Sequence, residues 1–564
     1  MLLHWSAKEP HGFLRMGQVA ILVGGFSIGF LIFFRAQIFS GFDLLFGDRG
    51  DTRLVVFIHE HVFQAFIGSS AFLSPPFFYD VTKTLGFSDA YLLDQIIYTP
   101  LRVVGVDPYL ALLLTIMTLS MVGYGFLYAL LRRFGRVSVV TAVFSSFLFT
   151  FANNLYVNAN HPQLFMIYYV PVVAYLAIYA ILEIHEHKRL SLMAGGIAGL
   201  LYGLLFPTGF YMAWFFGLGL LMFAFIFIII SWHAVRTWFA ADPIRIGILG
   251  FTFIDGFAVG LIPFALIYIP VYVGAGTRDF SQYLLDAPSL GDIGNVGFNL
   301  VWADVLNKVG LVTDRKFARI GELSYALTPG FLVLVILSLL IGLRLRYWDV
   351  DNQNMRAAAI GGAVVCIALF FVTIKIHELS LFLVLYKLVP GAGAIRSGYR
   401  AMVVGNFFAT ISVALAINRI TVMSPRYSAM NANAKFAYAV IITLMVIALV
   451  EQVSLVHGSL VSRAFERAHL DRAHGVPTFC QSFYIASEPG QPPTTVQIDA
   501  MLVAQKVGVP TINGYSGVFP AGWELYDTSD ANYDGKARAW AVNRGIDIGL
   551  CRFDVTNGTF VKAP

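Results

Sequence analysis

Charge is what this chain has least of. Of 564 residues only 13% are Asp, Glu, Lys or Arg, against roughly 25% in a soluble globular chain, and that deficit excludes a soluble enzyme. Cysteine is scarce as well. Three residues with no Cys-x-x-Cys pair exclude a zinc framework, which wants about four nitrogen or sulfur ligands. None of GxxxxGK[ST], HExxH, GxSxG or GxGxxG occurs in a suitable context, which argues against a nucleotide-driven pump, a zinc protease or a lipase. Low-complexity tracts are missing, so the chain is neither disordered nor fibrous. The net charge of +5 is too mild to imply nucleic acid.

What the chain does have is apolar surface: 58% hydrophobic residues, with 50 Phe and 26 Tyr, and a mean hydropathy of +0.72. A bilayer-spanning helix needs about 20 mostly apolar residues. Runs that qualify lie near 17–36, 108–131, 137–157, 163–184, 191–207, 208–232, 246–272, 327–344, 359–374, 401–418 and 438–455. The reading is an all-α polytopic membrane protein of about eleven transmembrane helices, with a small C-terminal α+β domain outside the cytoplasm. The first run is long enough to span and no small-residue cleavage site follows it, so it reads as a retained anchor.

Orientation follows from Lys and Arg. With a cytoplasmic N-terminus (Lys8, Arg15), alternate loops carry the positive charge: Arg132, Arg133 and Arg136; Lys188 and Arg189; Arg236 and Arg245; Arg344, Arg346 and Arg356; Arg419, Arg426 and Lys435. The loops at 158–162 and 208–211 carry none. An odd number of spans places the tail outside. The domain reading is a membrane body, 1–455, with long outside loops at 37–107 and 273–326, and an outside domain at 456–564. That tail has β-like runs at 478–485 and 549–555, a helix-like stretch at 496–506 and frequent turn signals. Cys480 and Cys551 are either a disulfide or two buried thiols, because sequence does not place their Cα atoms. Cys366 packs within a span.

The densest polar cluster follows the first span: Gly47-Asp48-Arg49-Gly50-Asp51-Thr52-Arg53, then His59-Glu60-His61. Two glycines around Asp48 free the backbone to curl, and the alternating signs supply a base and a cation. The competing reading is a solvated loop whose charges pair with one another. Asp255 falls inside the seventh span, nearer its cytoplasmic end. A carboxylate there costs roughly 2.5–3.5 kcal/mol on insertion scales, so it is expected to pair with a neighbouring helix. Glu451 reads as interfacial. Trp302, Asp304 and the stretch 279–292 are candidates to line an acceptor path.

Several motifs resemble those of GT-C-type membrane glycosyltransferases, particularly bacterial and largely uncharacterised members. They are the Gly-Asp-x-x-Asp segment at 47–51, Leu85-Gly86-Phe87-Ser88-Asp89, and His161-Pro162-Gln163. Further matches are Glu322 ahead of Leu327-Thr328-Pro329-Gly330, the turn Pro390-Gly391 to Ile395-Arg396 and the tail segment 497–520. The similarity spreads over most of the chain, in short motifs. It implies a GT-C-like fold in the plasma (inner) membrane. It also implies transfer of a sugar from a polyprenyl-phosphate donor to a cell-envelope glycan, lipid or protein on the extracytoplasmic face.

On that resemblance Asp48 or Asp51 is the general base, or a ligand of a divalent cation (Mg or Mn) if one is needed. Arg396, Arg400 and Arg49 would bind the donor phosphate, whose charge grows as the glycosidic bond breaks. Arg396 and Arg400, four apart, would share one side of a helix; snorkelling toward headgroups is the competing reading. Asp89, His161, Glu322 and Tyr399 would line the substrate, with His161 equally readable as a capping or packing residue. From other classes, a transporter or flippase and a non-catalytic envelope assembly factor remain open. Against the transporter, no twofold repeat is visible and the polar residues concentrate in loops.

Overall fold

The structure, a computed structural model, describes residues 16–276, 278–308, 324–344, 348, 352–422, 432–454, 458–473, 475–487, 490–555 and 557–563. Every apolar run expected to span forms a helix. Among the described residues nine are long and apolar enough to cross a membrane: Met16–Phe33, Pro108–Arg133, Val139–Val157, Pro162–Glu183, Lys188–Thr208, Phe210–Ile230, Pro243–Gly274, Gln353–Thr373 and Gly398–Thr421. The two remaining runs form the shorter apolar helices Pro329–Leu343 and Lys435–Val450.

Burial ranks these helices. The spans Val139–Val157 and Gly398–Thr421 are 89% buried and form the centre, whereas Met16–Phe33 and Pro243–Gly274 are 11% buried and flank it. In a bilayer, helices associate by close packing of small residues. The helix Pro243–Ala275 is held this way against Lys188–Thr208. A Cβ at Gly199 would lie 2.1 Å from the carbonyl oxygen of Phe253, and one at Gly256 would lie 2.1 Å from that of Gly196. On the side of this helix away from the seam, Asp255 makes no pair with a neighbouring helix among the described residues, contrary to expectation. Its side chain points away from the body.

Three long segments gather at one end of the bundle. Leu44–Phe46 from the first loop pairs antiparallel with Leu460–Ser462 from the tail. The loop Pro75-Pro76-Phe77-Phe78 plugs into the tail: Phe78 is buried, with its ring 4.8 Å from that of Trp523. A Cβ at Gly514 would strike the Phe78 ring at 2.4 Å, so only glycine admits the plug. Arg278, from the second long loop, donates to the carbonyl of Gly517 at 2.6 Å. Within the tail, Ser482–Tyr484 runs parallel to Leu550–Asp554, which pairs antiparallel with Thr559–Lys562. Helices Pro493–Val507 and Tyr533–Arg544 complete the mixed α/β arrangement. Cys480 and Cys551 form a disulfide with Cα atoms 5.7 Å apart.

Buried amides and one carboxylate hold the second loop to the bundle. Asn154 donates to the Tyr325 carbonyl at 3.1 Å and accepts from Asn406 at 2.6 Å; Asn158 donates to the Ser324 carbonyl at 2.9 Å. Glu451 is fully buried rather than interfacial. Its carboxylate accepts from the N–H groups of Gly330 (2.9 Å) and Phe331 (2.6 Å), from the Thr328 hydroxyl (2.5 Å) and from the Trp302 indole (2.6 Å). The free N–H groups that open a helix otherwise lack acceptors, and a negative charge there is favoured. E451A is expected to destabilise the protein by about 3 kcal/mol, because it strands buried donors. Thermal unfolding of the purified protein checks this, and an unchanged midpoint would contradict it.

Candidate functional site

The Gly-Asp-x-x-Asp segment builds a tight turn into the helix Asp51–Phe66. Gly47 has φ +102°, and a Cβ on it would fall 1.7 Å from Thr52 Oγ1, so no other residue fits. Thr52 Oγ1 donates to the Phe46 carbonyl at 2.8 Å. Asp48 Oδ1 accepts from the N–H groups of Gly50 (2.9 Å) and Asp51 (3.1 Å). Asp48 is therefore the group that caps the turn, and its side chain is exposed. Asp51, first residue of the helix, is the one directed into the protein.

His161 Nδ1 lies 2.7 Å from Asp51 Oδ2. His161 is 5% exposed and directly precedes the 3-10 turn Pro162–Tyr169. Burial works to raise the Asp51 pKa. The hydrogen bond and charge of His161, the charge of Arg400 and a hydrogen bond with Gln163 outweigh it, holding this carboxyl below the usual 3.8. Asp89 is the counterexample. Burial pushes it up to about 6, against the Phe210 N–H, 3.1 Å from its Oδ1, and the charge of Arg400. Two carboxylates thus share the field of one cation and differ in proton affinity.

Arg400 closes the turn Gly398–Arg400 that leads into the helix Ala401–Val422. Arg396 precedes that turn, with Ser397 at ψ 82° between them, so the two arginines do not share a helical face as the four-residue spacing suggested. Tyr211 joins them instead. Its hydroxyl accepts from the Arg396 N–H at 2.8 Å, and the Arg400 guanidinium stands 5.3 Å from its ring centre. The Arg396 side chain pairs with Asp286 at 3.1 Å and stays half-exposed. Tyr515 from the tail feels the charges of Asp51, Asp48 and Arg396, and burial drives its hydroxyl pKa well up.

The remaining sequence candidates fall elsewhere. Arg49 pairs with Glu466 (2.7 Å) and reaches Asp499 (3.5 Å), so it is turned to the tail. Arg53, fully buried, meets the same two carboxylates: Glu466 Oε2 at 2.8 Å, and Asp499. His469 stands 3.4 Å from Asp499. Tyr399 is buried with its ring 4.7 Å from that of Tyr325, a packing position. Glu322 lies outside the described residues. His59, Glu60 and His61 are structural: His59 bonds Asp94 at 2.9 Å, Glu60 forms a bidentate pair with Arg102 (2.6 and 2.9 Å), and His61 contacts the Phe72 carbonyl at 2.9 Å.

Asp48 Oδ1 and Asp51 Oδ2 are already engaged, and among the described residues the trio with metal-ligand spacing is Glu183, Glu186 and His187, at the other end of the bundle. Three contributors escaped the sequence reading: Tyr211, Tyr515 and the Arg53 clamp. Tyr515 lies in a segment that the resemblance had marked, whereas Tyr211 carried no signal beyond its place at a helix start. No protein-family model and no curated protein matches this chain.

The clamp has a measurable consequence. R53A removes the fully buried cation from Glu466 and Asp499, leaving them Arg49 and His469, and is expected to cost about 3 kcal/mol, with earlier proteolytic release of the tail. Burial works to raise the Asp499 pKa, but the charge of Arg53 and His469 lowers it below 3.8 overall. The stability it confers is present at neutral pH and lost as pH falls below about 4. Limited proteolysis at pH 7 and pH 3.5 reads both effects, and equal tail release in R53A and wild type would contradict them.

Proposed function

We propose that this protein is a GT-C-type glycosyltransferase that moves a sugar from a polyprenyl-phosphate donor to a cell-envelope acceptor on the extracytoplasmic face. One observation carries the reading: Asp51, oriented by His161, shares a site with Arg400, a residue about 350 positions away in sequence. Acceptor activation needs an ionised carboxylate, and the departing phosphate needs a fixed cation. Both are present, and the apolar helices suit a bilayer, the medium in which a polyprenyl chain dissolves.

In this mechanism Asp51 takes the proton of the acceptor hydroxyl as its oxygen attacks the anomeric carbon. The bond from that carbon to the phosphate oxygen breaks, and the electron pair leaves on the phosphate, toward Arg400 and the exposed Arg396. Inversion at the anomeric carbon is inherited from the resemblance. His161 positions Asp51 and holds its charge. Asp89, whose pKa is about 6, carries a proton more readily and serves to hold a sugar hydroxyl. Orientation draws on two supports. Lys and Arg alternate between loops, and the Cys480–Cys551 disulfide, which favours an oxidising compartment, lies in the tail packed beside the site.

The test is transfer from a radiolabelled polyprenyl-phosphate sugar by the full chain in lipid nanodiscs. D51N is expected to lose at least about 100-fold in rate with an unchanged unfolding midpoint. D48N is expected to stay within about tenfold of wild type, since Asn retains the capping oxygen. A D51N variant as active as wild type would overturn the mechanism.

The pH profile separates the two carboxylates. A base must be deprotonated, so a group of pKa 6 would cut the rate about tenfold per unit below pH 6, whereas Asp51 stays ionised there. D89N is therefore expected to keep the wild-type profile from pH 5 to 8. An acid limb that D89N abolishes would transfer the base role to Asp89.

A further inference from the structure

The helix Pro243–Ala275 carries Asp255 on its outward side, away from the glycine seam. Its depth can be placed. Pro243 opens the helix at the end remote from the site, and at the other end the Ile267 carbonyl stands 2.3 Å from where a Cβ of Gly86 would be, against the first loop. Asp255 is twelve residues from each. At 1.5 Å per residue that is roughly 18 Å either way, and a hydrocarbon core is about 30 Å thick, so the carboxylate stands near mid-depth. The side chains around it on that face are apolar and exposed: Phe251 (69%), Ile254 (64%), Val259 (49%) and Ile262 (53%). No hydrogen bond or ion pair reaches Asp255 among the described residues.

Lipid tails cover apolar side chains, but they offer a carboxylate nothing. Snorkelling does not help, because a two-carbon stem cannot carry the head to an interface that is a half-bilayer away. The described face of this chain offers no mid-depth cation that a second copy would bring to Asp255, so charge complementarity favours a different protein.

We propose that this face is the docking site of a partner transmembrane helix, packed on Phe251, Ile254, Val259 and Ile262, that presents a Lys or Arg to Asp255. This inference is independent of the sugar-transfer reading and survives its failure.

The probe is a synthetic Leu/Ala transmembrane helix bearing one central Lys, compared with the same helix bearing Leu. Energy transfer between a fluorophore on the probe and one on the full-length protein is measured in phosphatidylcholine vesicles. The Lys helix is expected to associate with wild type at least about fivefold more tightly than the Leu helix, and D255N and D255L are expected to remove the difference. Equal association of both helices with wild type would overturn the proposal, and that comparison needs no variant. Self-association of the protein that D255L abolishes would also overturn it, in favour of a second copy.

Discussion

Arg53 is the group on which the arrangement at this end of the molecule depends. A buried guanidinium has to be met by acceptors, and the two that meet it, Glu466 and Asp499, come from the tail. Charges taken out of water bind strongly only when their geometry is complete. Arg53 thereby fixes the register between the tail and the helix Asp51–Phe66. The first residue of that helix is Asp51, half a turn from the clamp. The clamp two residues on anchors the start of that helix, and His161, 2.7 Å away, holds the Asp51 carboxylate itself.

The same logic sets the chemistry apart from the scaffold. Most charges of the first loop are spent inside the protein: Arg49 and Arg53 on the tail, Glu60 on Arg102, His59 on Asp94. Asp51, Asp89 and the two late arginines differ: burial raises Asp89, His161 and Arg400 hold Asp51 low against its burial, and Arg396 stays half-exposed. Tyr211 links the arginines to each other, and Tyr515 brings the tail to the same place. Four distant stretches of chain therefore converge where the bundle ends.

Hydropathy made the helices legible. A 20-residue apolar run has few alternatives, and each expected run is a helix, although Pro329–Leu343 and Lys435–Val450 fall short of the full length. The strand and helix stretches of the tail were readable from turn residues and alternation. Partnerships were not. Nothing local says that Arg49 faces Glu466, 417 positions away, or that Glu451 reaches the start of a helix 120 positions earlier. Spacing misled at Arg396 and Arg400 because the i, i+4 argument needs a helix, and Ser397 breaks it. For Asp255 the cost argument was sound, but the partner it demands does not come from this chain's described residues.

The division of labour between Asp51 and Arg400 is the centre of this account, and binding of polyprenyl phosphate to the full chain tests it most directly. The account predicts that R400Q weakens that binding at least about tenfold, since it removes the cation facing the phosphate. D51N should bind as tightly as wild type or tighter, because a negative charge near the phosphate is gone. Equal affinity in wild type and R400Q, or binding lost in D51N, would contradict it.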